Sequence, residues 1–448
     1  MISAATVATT DPRHRRLLAL LIAAIVFAPS ATALPQFSVE SAASCRSCHV
    51  EPTDWHNPEK KFRKCTLSCA ACHVNPTGGG MRKQAGLFYG KDHLPLAGAR
   101  PTDSLARWLG SIHPPDPPGR GDPARFAGIR PNPTLQVGFD LRTMGYYPEE
   151  GSSSHFPMQT DLHLAFRPYN PEAWHRGRLT LLATAGFEGS RAQEFADLAD
   201  RFFIKELWAL YDDLPNQSYV KAGRFLPAYG WRFDDHTPFV RQGLGFDNER
   251  QITGVEIGLN PNYLYGHLAA FSNHNSSQFS ALTDGWGAAA SAGWRDLFWQ
   301  LGASLMVESR DPLLPSDTDR TLDTWAGLQF SLNLFDATHP WKAANWLPLI
   351  YLAEVDLRRT SIGSATTTGF TALHEIDLSP TPWLVSLFRY EWQDSDIEFE
   401  SGYRTRWTAG LRIHLYTHVE LVAQQRWNRG TAPAALGREG LVSLHLWY

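Results

Sequence analysis

The feature that most constrains the fold is a long C-terminal region in which apolar and polar residues alternate. From Thr134 to Tyr448 this alternation recurs in segments of about ten residues, which is the pattern of half-buried strands. In "LQVGFDLRTMGYY", Leu135 and its alternate neighbours are apolar, whereas Gln136 and Asp140 on the other face are polar. "TDLHLAF" and "TRWTAGLRIHL" repeat the pattern, and about sixteen such strands follow one another along the chain.

The connections between these strands alternate between long and short. "GSRAQEFADLADR" and "RRTSIGSATTT" are long, whereas "DLPN", "NPN" and "SPTP" are short. Outer-membrane barrels have short periplasmic turns and long outer loops. The sequence therefore predicts an all-β fold, an antiparallel outer-membrane β-barrel of about 16 strands over residues 134–448. A soluble β-sandwich or propeller in the periplasm is the alternative, and it would have evenly short loops.

The last strand, "LVSLHLWY", carries a separate signal. Val442, Leu444, Leu446 and the terminal Tyr448 share one face of this strand. An alternating apolar strand that ends on an aromatic residue resembles the C-terminal signal read by the outer-membrane insertion machinery.

The N-terminus predicts export from the cytoplasm. Three arginines, Arg13, Arg15 and Arg16, precede an apolar run from Leu17 to Ala28. The small residues Ala31-Thr32-Ala33 form a cleavage site, so residues 1–33 are typical of a secretory signal peptide. The apolar run is too short to cross a bilayer as a helix, although an uncleaved anchor is the alternative.

All five cysteines lie in one short N-terminal stretch, which contains two Cys-x-x-Cys-His motifs. This is the attachment signature of c-type haem, because two thiols reach the two vinyl groups and the adjacent His binds the iron. The sequence therefore predicts two covalent c-type haems. The cofactor-binding residues are Cys45, Cys48 and His49 for one haem, and Cys69, Cys72 and His73 for the other. His49 and His73 are the predicted proximal iron ligands.

Two other interpretations of the cysteines remain open. Repeated Cys-x-x-Cys pairs also match a zinc ribbon, although that interpretation leaves the two histidines without a role. Paired cysteines in an oxidising compartment can also form disulfides, but a disulfide scaffold spreads its cysteines along the chain. Cys65 belongs to neither motif and has no assigned role.

Residues 34–110 are too few and too polar for a conventional core, and two porphyrins would supply the missing apolar bulk. We interpret them as a dihaem cytochrome c domain. Each iron needs a sixth ligand or an open site. The candidate distal ligands are His56, Met81, His93 and His113. The Pro-rich linker 111–133 is long enough to fold this domain back into or against the barrel mouth, so we place the domain in the periplasm or within the barrel.

One connection, residues 222–251, is far longer than its neighbours. In porins a long loop can fold into the lumen and narrow it, but an ordinary extracellular loop with solvated charges is equally consistent with the sequence. Asp234, Asp235 and His236 are also candidates for weak cation binding. The charged residues that would line a constriction are Arg224, Arg232, Asp234, Asp235, His236, Arg241 and Glu249.

A signal peptide, a Cys-x-x-Cys-His motif near the mature start and a porin-like barrel together resemble the fused outer-membrane cytochrome–porins. That resemblance implies electron transfer between extracellular and periplasmic redox partners, with extracellular Fe(II) as a donor. It also implies a periplasmic cytochrome or cupredoxin-type electron carrier as partner and contact with outer-membrane lipid. The chain departs from the family in carrying two haem motifs, at Cys45–His49 and Cys69–His73. It would be an oxidoreductase only if it takes electrons directly from a substrate such as Fe(II).

A channel protein with a non-redox N-terminal plug is the main alternative function. A haem enzyme such as a peroxidase is disfavoured because no acid–base pair accompanies the motifs. The net charge of −4 gives no indication of nucleic-acid binding.

Overall fold

The computed structural model describes most of the C-terminal region and a short part of the N-terminal one. The described residues are 69–83, 86–87, 96–97, 135–168, 178–187, 202–233, 235–245, 250–260, 263–273, 285–295, 299–312, 319–334, 349–381, 383–399, 402–431 and 437–448. The predicted signal peptide, the linker 111–133 and the first haem motif lie outside them. No helix among the described residues is long and apolar enough to cross a membrane.

Sixteen antiparallel strands form one closed barrel, which confirms the predicted fold class. Each strand pairs with its neighbours in sequence, and β1 closes the barrel against β16, with Asp140 opposite Trp447. The strands are β1 (Leu135–Pro148), β2 (Ser154–Phe166), β3 (Arg178–Phe187), β4 (Phe202–Leu214), β5 (Ser218–Phe225), β6 (Ile252–Leu259), β7 (Leu264–Asn273), β8 (Gly285–Arg295), β9 (Trp299–Arg310), β10 (Thr321–Asn333), β11 (Leu349–Ile362), β12 (Ala365–Thr381), β13 (Leu384–Asp394), β14 (Tyr403–Tyr416), β15 (Val419–Gly430) and β16 (Gly437–Trp447).

The barrel has its polar face inside and its apolar face outside. On β2, Leu162 and Leu164 are 57% and 46% exposed, whereas Asp161 and His163, which alternate with them, are buried. The same alternation holds on β14, where Trp407 is exposed and Arg406 is buried. Such a surface suits lipid on the outside and a polar lumen within.

The connections divide the barrel into two ends. Residues 215–217 and 417–418 join strands at one end, which we call the short-turn end. The connection 226–251 leaves from the other, long-loop end. The prediction of a long loop at "RRTSIGSATTT" is wrong. β11 and β12 continue through it and turn within residues 363–364, and the pairing extends from Arg359–Thr368 to Ile362–Ala365.

The terminal Tyr448 helps to close the barrel. Its backbone N–H donates to the Phe139 carbonyl at 2.8 Å, and its own carbonyl accepts from the Phe139 N–H at 2.9 Å. Its buried ring stacks on Phe139 at 6.1 Å between centroids and packs against Leu87.

We expect deletion of Tyr448 to reduce the yield of folded barrel, because it removes both hydrogen bonds and a ring whose burial contributes about 1.5–3 kcal/mol. The measurement is the fraction of protein whose electrophoretic mobility in detergent changes on boiling. Tyr448→Phe keeps the ring and the backbone contacts, so it should behave like the parent. Equal folding of the deletion and the parent would contradict this role.

Candidate functional site

Residues 69–83, which carry the second haem motif, form a short hairpin in the barrel lumen; we call it the motif hairpin. His73 and Arg82 form an antiparallel bridge, and the Val74 N–H donates to the Met81 carbonyl at 3.0 Å. At the tip, the Asn75 side chain accepts hydrogen bonds from the Thr77 N–H and hydroxyl. The run "NPTGGG" therefore forms a tight turn between the two arms.

The motif itself forms one helical turn. The N–H groups of Cys72 and His73 both donate to the Cys69 carbonyl, at 3.1 and 2.9 Å. Residues three and four positions apart share one face of a helical turn, so both thiols and the imidazole lie on the same side. Cys69 and Cys72 are partly exposed and are not joined by a disulfide. This donor set fits a c-type haem, which Cys69 and Cys72 would hold covalently and His73 would ligate.

Two glycines allow the chain to approach the motif closely. Gly78 has φ +88°, and a Cβ there would lie 3.3 Å from the Cys69 sulfur. A Cβ on Gly86 would lie 2.7 Å from the Cys72 carbonyl oxygen, closer than real Cβ atoms come. A side chain at Gly78 would crowd the Cys69 thiol, and one at Gly86 would collide with the Cys72 backbone, so both glycines preserve the space around the motif.

Val74 and Met81 face away from the motif, because they occupy the next pair of the hairpin after His73 and Arg82. Both are buried, at 2% and 3% exposure, in the apolar cluster that includes Trp208 and Tyr219. Met81 is thus an anchor in this arrangement, and its role as a distal ligand stays a prediction. The other predicted site residues, Cys45, Cys48, His49, His56, His93 and His113, lie outside the described residues.

The barrel wall holds the hairpin through polar contacts. Asn260, in the turn after β6, donates to the Pro76 carbonyl at 2.8 Å. Gln136 on β1 donates to the Arg82 carbonyl at 2.6 Å, and the Arg82 guanidinium pairs with Asp140 at 3.3 Å. Asn260 lies at the short-turn end, and Gln136 is the second residue of β1 and lies near the same end. The hairpin is therefore bound by residues near the short-turn end of the barrel.

A buried ion pair on the adjacent wall supports the hairpin tip. Lys221 Nζ lies 2.7 Å from Glu256 Oε1 and donates to the Asn75 side-chain oxygen at 3.4 Å. Lys221 and Glu256 are both fully buried, and the Tyr219 hydroxyl also donates to Glu256, at 2.7 Å. Charges buried in this way are tolerated only because they are paired.

We expect Lys221→Met to destabilise the barrel by about 3–5 kcal/mol, because it leaves the Glu256 carboxylate buried without its cation. The measurement is the urea midpoint of unfolding in detergent. Adding Glu256→Gln to Lys221→Met removes the lone charge and keeps an acceptor for Tyr219, so most of the loss should be recovered. A single variant as stable as the parent would show that the pair does not support the fold.

The long connection between β5 and β6 folds into the lumen, which decides between the two arrangements that the sequence left open. Arg241 pairs with Glu354 on β11 at 2.7 Å, and the Phe239 N–H donates to Glu391 on β13 at 2.7 Å. Residues 226–245, which we call the lumen loop, therefore reach from β5 to the opposite wall.

The lumen loop also contacts the motif hairpin. The Arg232 guanidinium donates to the Gly78 carbonyl at 2.7 Å and to the Leu226 carbonyl at 2.9 Å. The hairpin enters from the short-turn end, and the loop enters from the long-loop end. They meet inside the barrel, where the Arg232 to Gly78 hydrogen bond joins the two elements.

Asp235 and His236 do not form the cation site suggested by the sequence. Asp235 lies 3.0 Å from Arg389 and 2.9 Å from Arg426. Burial alone would raise the pKa of Asp235, but these two guanidinium groups hold it well below its usual range. Burial lowers the pKa of His236 to about 3, so the imidazole is neutral. Asp234 and Glu249 lie outside the described residues, and the described residues contain no cluster suited to a metal ion.

Two anchoring residues of the hairpin, Lys221 and Asn260, were not predicted from the sequence, and Arg232 was predicted to line a constriction but not to bind the hairpin. Each is a single polar residue in a region where polar residues are expected for a lumen. The only local signal was the Pro- and Gly-rich "NPTGGGM", which indicates a tight turn after the motif.

No protein family and no curated protein sequence matches the chain. Solved structures do match in fold. The trimer form of OmpT, an outer-membrane protein of Vibrio cholerae, aligns with a TM-score of 0.52 at 8% identity over 70% of this chain and 99% of that chain. An anion-selective porin from Comamonas acidovorans aligns with a TM-score of 0.51 at 11% identity over the same shares. The chain therefore has the barrel fold of outer-membrane porins, as its apolar outer surface requires.

Proposed function

We propose that the chain is an outer-membrane electron conduit in which covalently bound haem is housed with a porin-type barrel. The observation that carries the proposal is the helical turn of Cys69, Cys72 and His73 inside the lumen. Covalent attachment suits a cofactor that must survive export. Haem supplies one-electron transfer, and these three residues would hold it and set the coordination of its iron.

The surroundings of the motif support this function over an open pore. Asn260, Asp140 and Arg232 each bind the motif hairpin, and fixed positioning is what a redox centre requires. The lumen loop and the hairpin meet inside the barrel, and two elements placed there would limit leakage of ions around a redox centre. Electrons would pass between a periplasmic carrier of the cytochrome or cupredoxin type and an extracellular partner such as Fe(II).

A solute channel with an N-terminal plug is the second candidate function. The likeness to OmpT and to an anion-selective porin favours it, because the shared architecture is that of pores. In that case the hairpin would be a removable plug, and the thiols of Cys69 and Cys72 would have no role in transport.

Proteoliposomes separate the two functions. Full-length protein should reduce an entrapped dye from an impermeant external donor, and His73→Ala should slow the reduction by about tenfold or more because the proximal ligand sets iron coordination and potential. Arg429→Ala, at an exposed arginine on β15, serves as the control and should leave the rate unchanged. Ion flux without dye reduction would establish the channel function instead.

A further inference from the structure

A groove of about 690 Å³ lies on the outward face of the barrel, near the long-loop end. Arg359 on β11 lines it between Thr324 on β10 and Thr368 on β12. These three residues pair directly across the sheet, so their side chains form one row on the same face. Their neighbours Asp323 and Trp325 are fully buried on the lumen side, which confirms that the row faces outward.

The next row towards the barrel middle is apolar. It contains Ala326 and Leu357, which also line the groove, and Phe370 beside them. Leu357 is 44% exposed on the outer surface. The groove therefore spans the boundary at which the outward face changes from apolar to polar side chains.

Aromatic residues place this boundary at the membrane interface. Phe370 packs on Trp392 with ring centroids 5.1 Å apart, and aromatic girdles mark the interface in outer-membrane barrels. The connection after β13 is attached to the outer wall, since the Ile397 N–H donates to the Thr368 carbonyl at 2.9 Å. This connection exposes Phe399 to the outside, which suits contact with lipid.

The charges of the groove are available for a ligand. Arg358 faces the lumen and pairs with Asp323 at 3.0 Å, whereas no ion pair among the described residues involves Arg359. Glu398, on the connection after β13, lines the same groove and is exposed, and it too forms no ion pair within the described part of the chain. The groove thus presents a cation, a carboxylate, four hydroxyl groups and an apolar floor.

We propose that this groove binds a lipid whose headgroup carries both a phosphate and an ammonium group, namely a phosphoethanolamine lipid. The Arg359 guanidinium and the threonine hydroxyls bind the phosphate, and the Glu398 carboxylate binds the ammonium group. An acyl chain lies along Ala326 and Leu357. A purely anionic headgroup suits the site less well because it would face the Glu398 carboxylate. This inference is independent of the function proposed for the lumen.

The test uses full-length protein reconstituted with equal amounts of phosphatidylethanolamine and phosphatidylglycerol. After extraction in mild detergent, native mass spectrometry counts the retained lipids. One phosphatidylethanolamine should remain bound. Arg359→Gln and Glu398→Gln should each lower its retention by about tenfold, because each removes a charge-assisted contact. Arg359→Lys should keep most of the binding, and Arg429→Gln, at an exposed arginine near the same end of β15, should change nothing.

Two results would overturn the proposal. Equal retention of both lipids, unaffected by Arg359→Gln, would mean that only annular lipid is present. Preferential retention of phosphatidylglycerol, lost in Arg359→Gln but unchanged in Glu398→Gln, would establish an anionic-lipid site instead. A mobility change on boiling shows whether each variant is folded, so a failure of folding is recognised separately.

Discussion

Replacing Cys69 and Cys72 by alanine should remove one of two covalently bound haems from the purified protein. The two thiols lie on one face of a helical turn with His73, and without them no thioether bonds can form at this motif. Replacing Cys45 and Cys48 should remove the other haem, and combining all four changes should abolish covalent haem. The measurement is haem per polypeptide, from the absorbance of the pyridine complex and the mass of the intact chain.

The control for attachment is the fifth cysteine. Cys65→Ser should leave the haem count unchanged, because Cys65 belongs to neither motif. Loss of haem in that variant would mean that the thiols are misassigned. Purified parent protein that carries zinc and shows no Soret band would support the zinc-ribbon interpretation instead. Metal content and absorbance are therefore measured on both the parent and the Cys65→Ser preparation.

The barrel could be predicted from the sequence because lipid and lumen impose opposite requirements on alternate residues. Gln136 and Asp140 are buried in the lumen, as their positions on the polar face of β1 predict. The prediction failed where that constraint ends. Beyond Arg359 the two strands carry Thr and Ser on both faces, so the alternation disappears although the backbone pairing continues to Ile362. A polar run of this kind is typical of a loop, but backbone hydrogen bonds continue the pairing of β11 with β12 through it.

The candidate site was predictable in its chemistry and not in its placement. Cys-x-x-Cys-His specifies its own local turn, so the shared face of Cys69, Cys72 and His73 follows from spacing alone. The docking contacts join residues far apart in the chain, as Lys221 to Asn75 and Arg232 to Gly78 do. Periodicity carries no information about such pairs. The linker length could therefore indicate a return of the domain to the barrel mouth, but not which groups would hold it there.

Undocking the motif hairpin should increase the conduction of ions through the barrel. Val74 and Met81 are 2% and 3% exposed within an apolar cluster of the lumen. Val74→Asp with Met81→Asp would bury two carboxylates without partners. Each carboxylate would cost a free energy on the order of several kcal/mol, so the hairpin should no longer bind to the lumen wall. The measurement is single-channel conductance of full-length protein in planar bilayers. We expect the conductance to rise by at least about tenfold, because ions cross where a polar lumen holds continuous water.

The matched control is Val74→Ile with Met81→Leu, which keeps the cluster apolar and should stay closed. Arg232→Ala breaks the hydrogen bond that joins Gly78 at the hairpin tip to the lumen loop, so it should give an intermediate conductance with frequent closures. If the double aspartate variant folds and remains closed, the lumen loop alone must block the barrel. If instead the parent already conducts like an open porin, the two elements do not seal the lumen. That result would favour the channel function over the electron conduit.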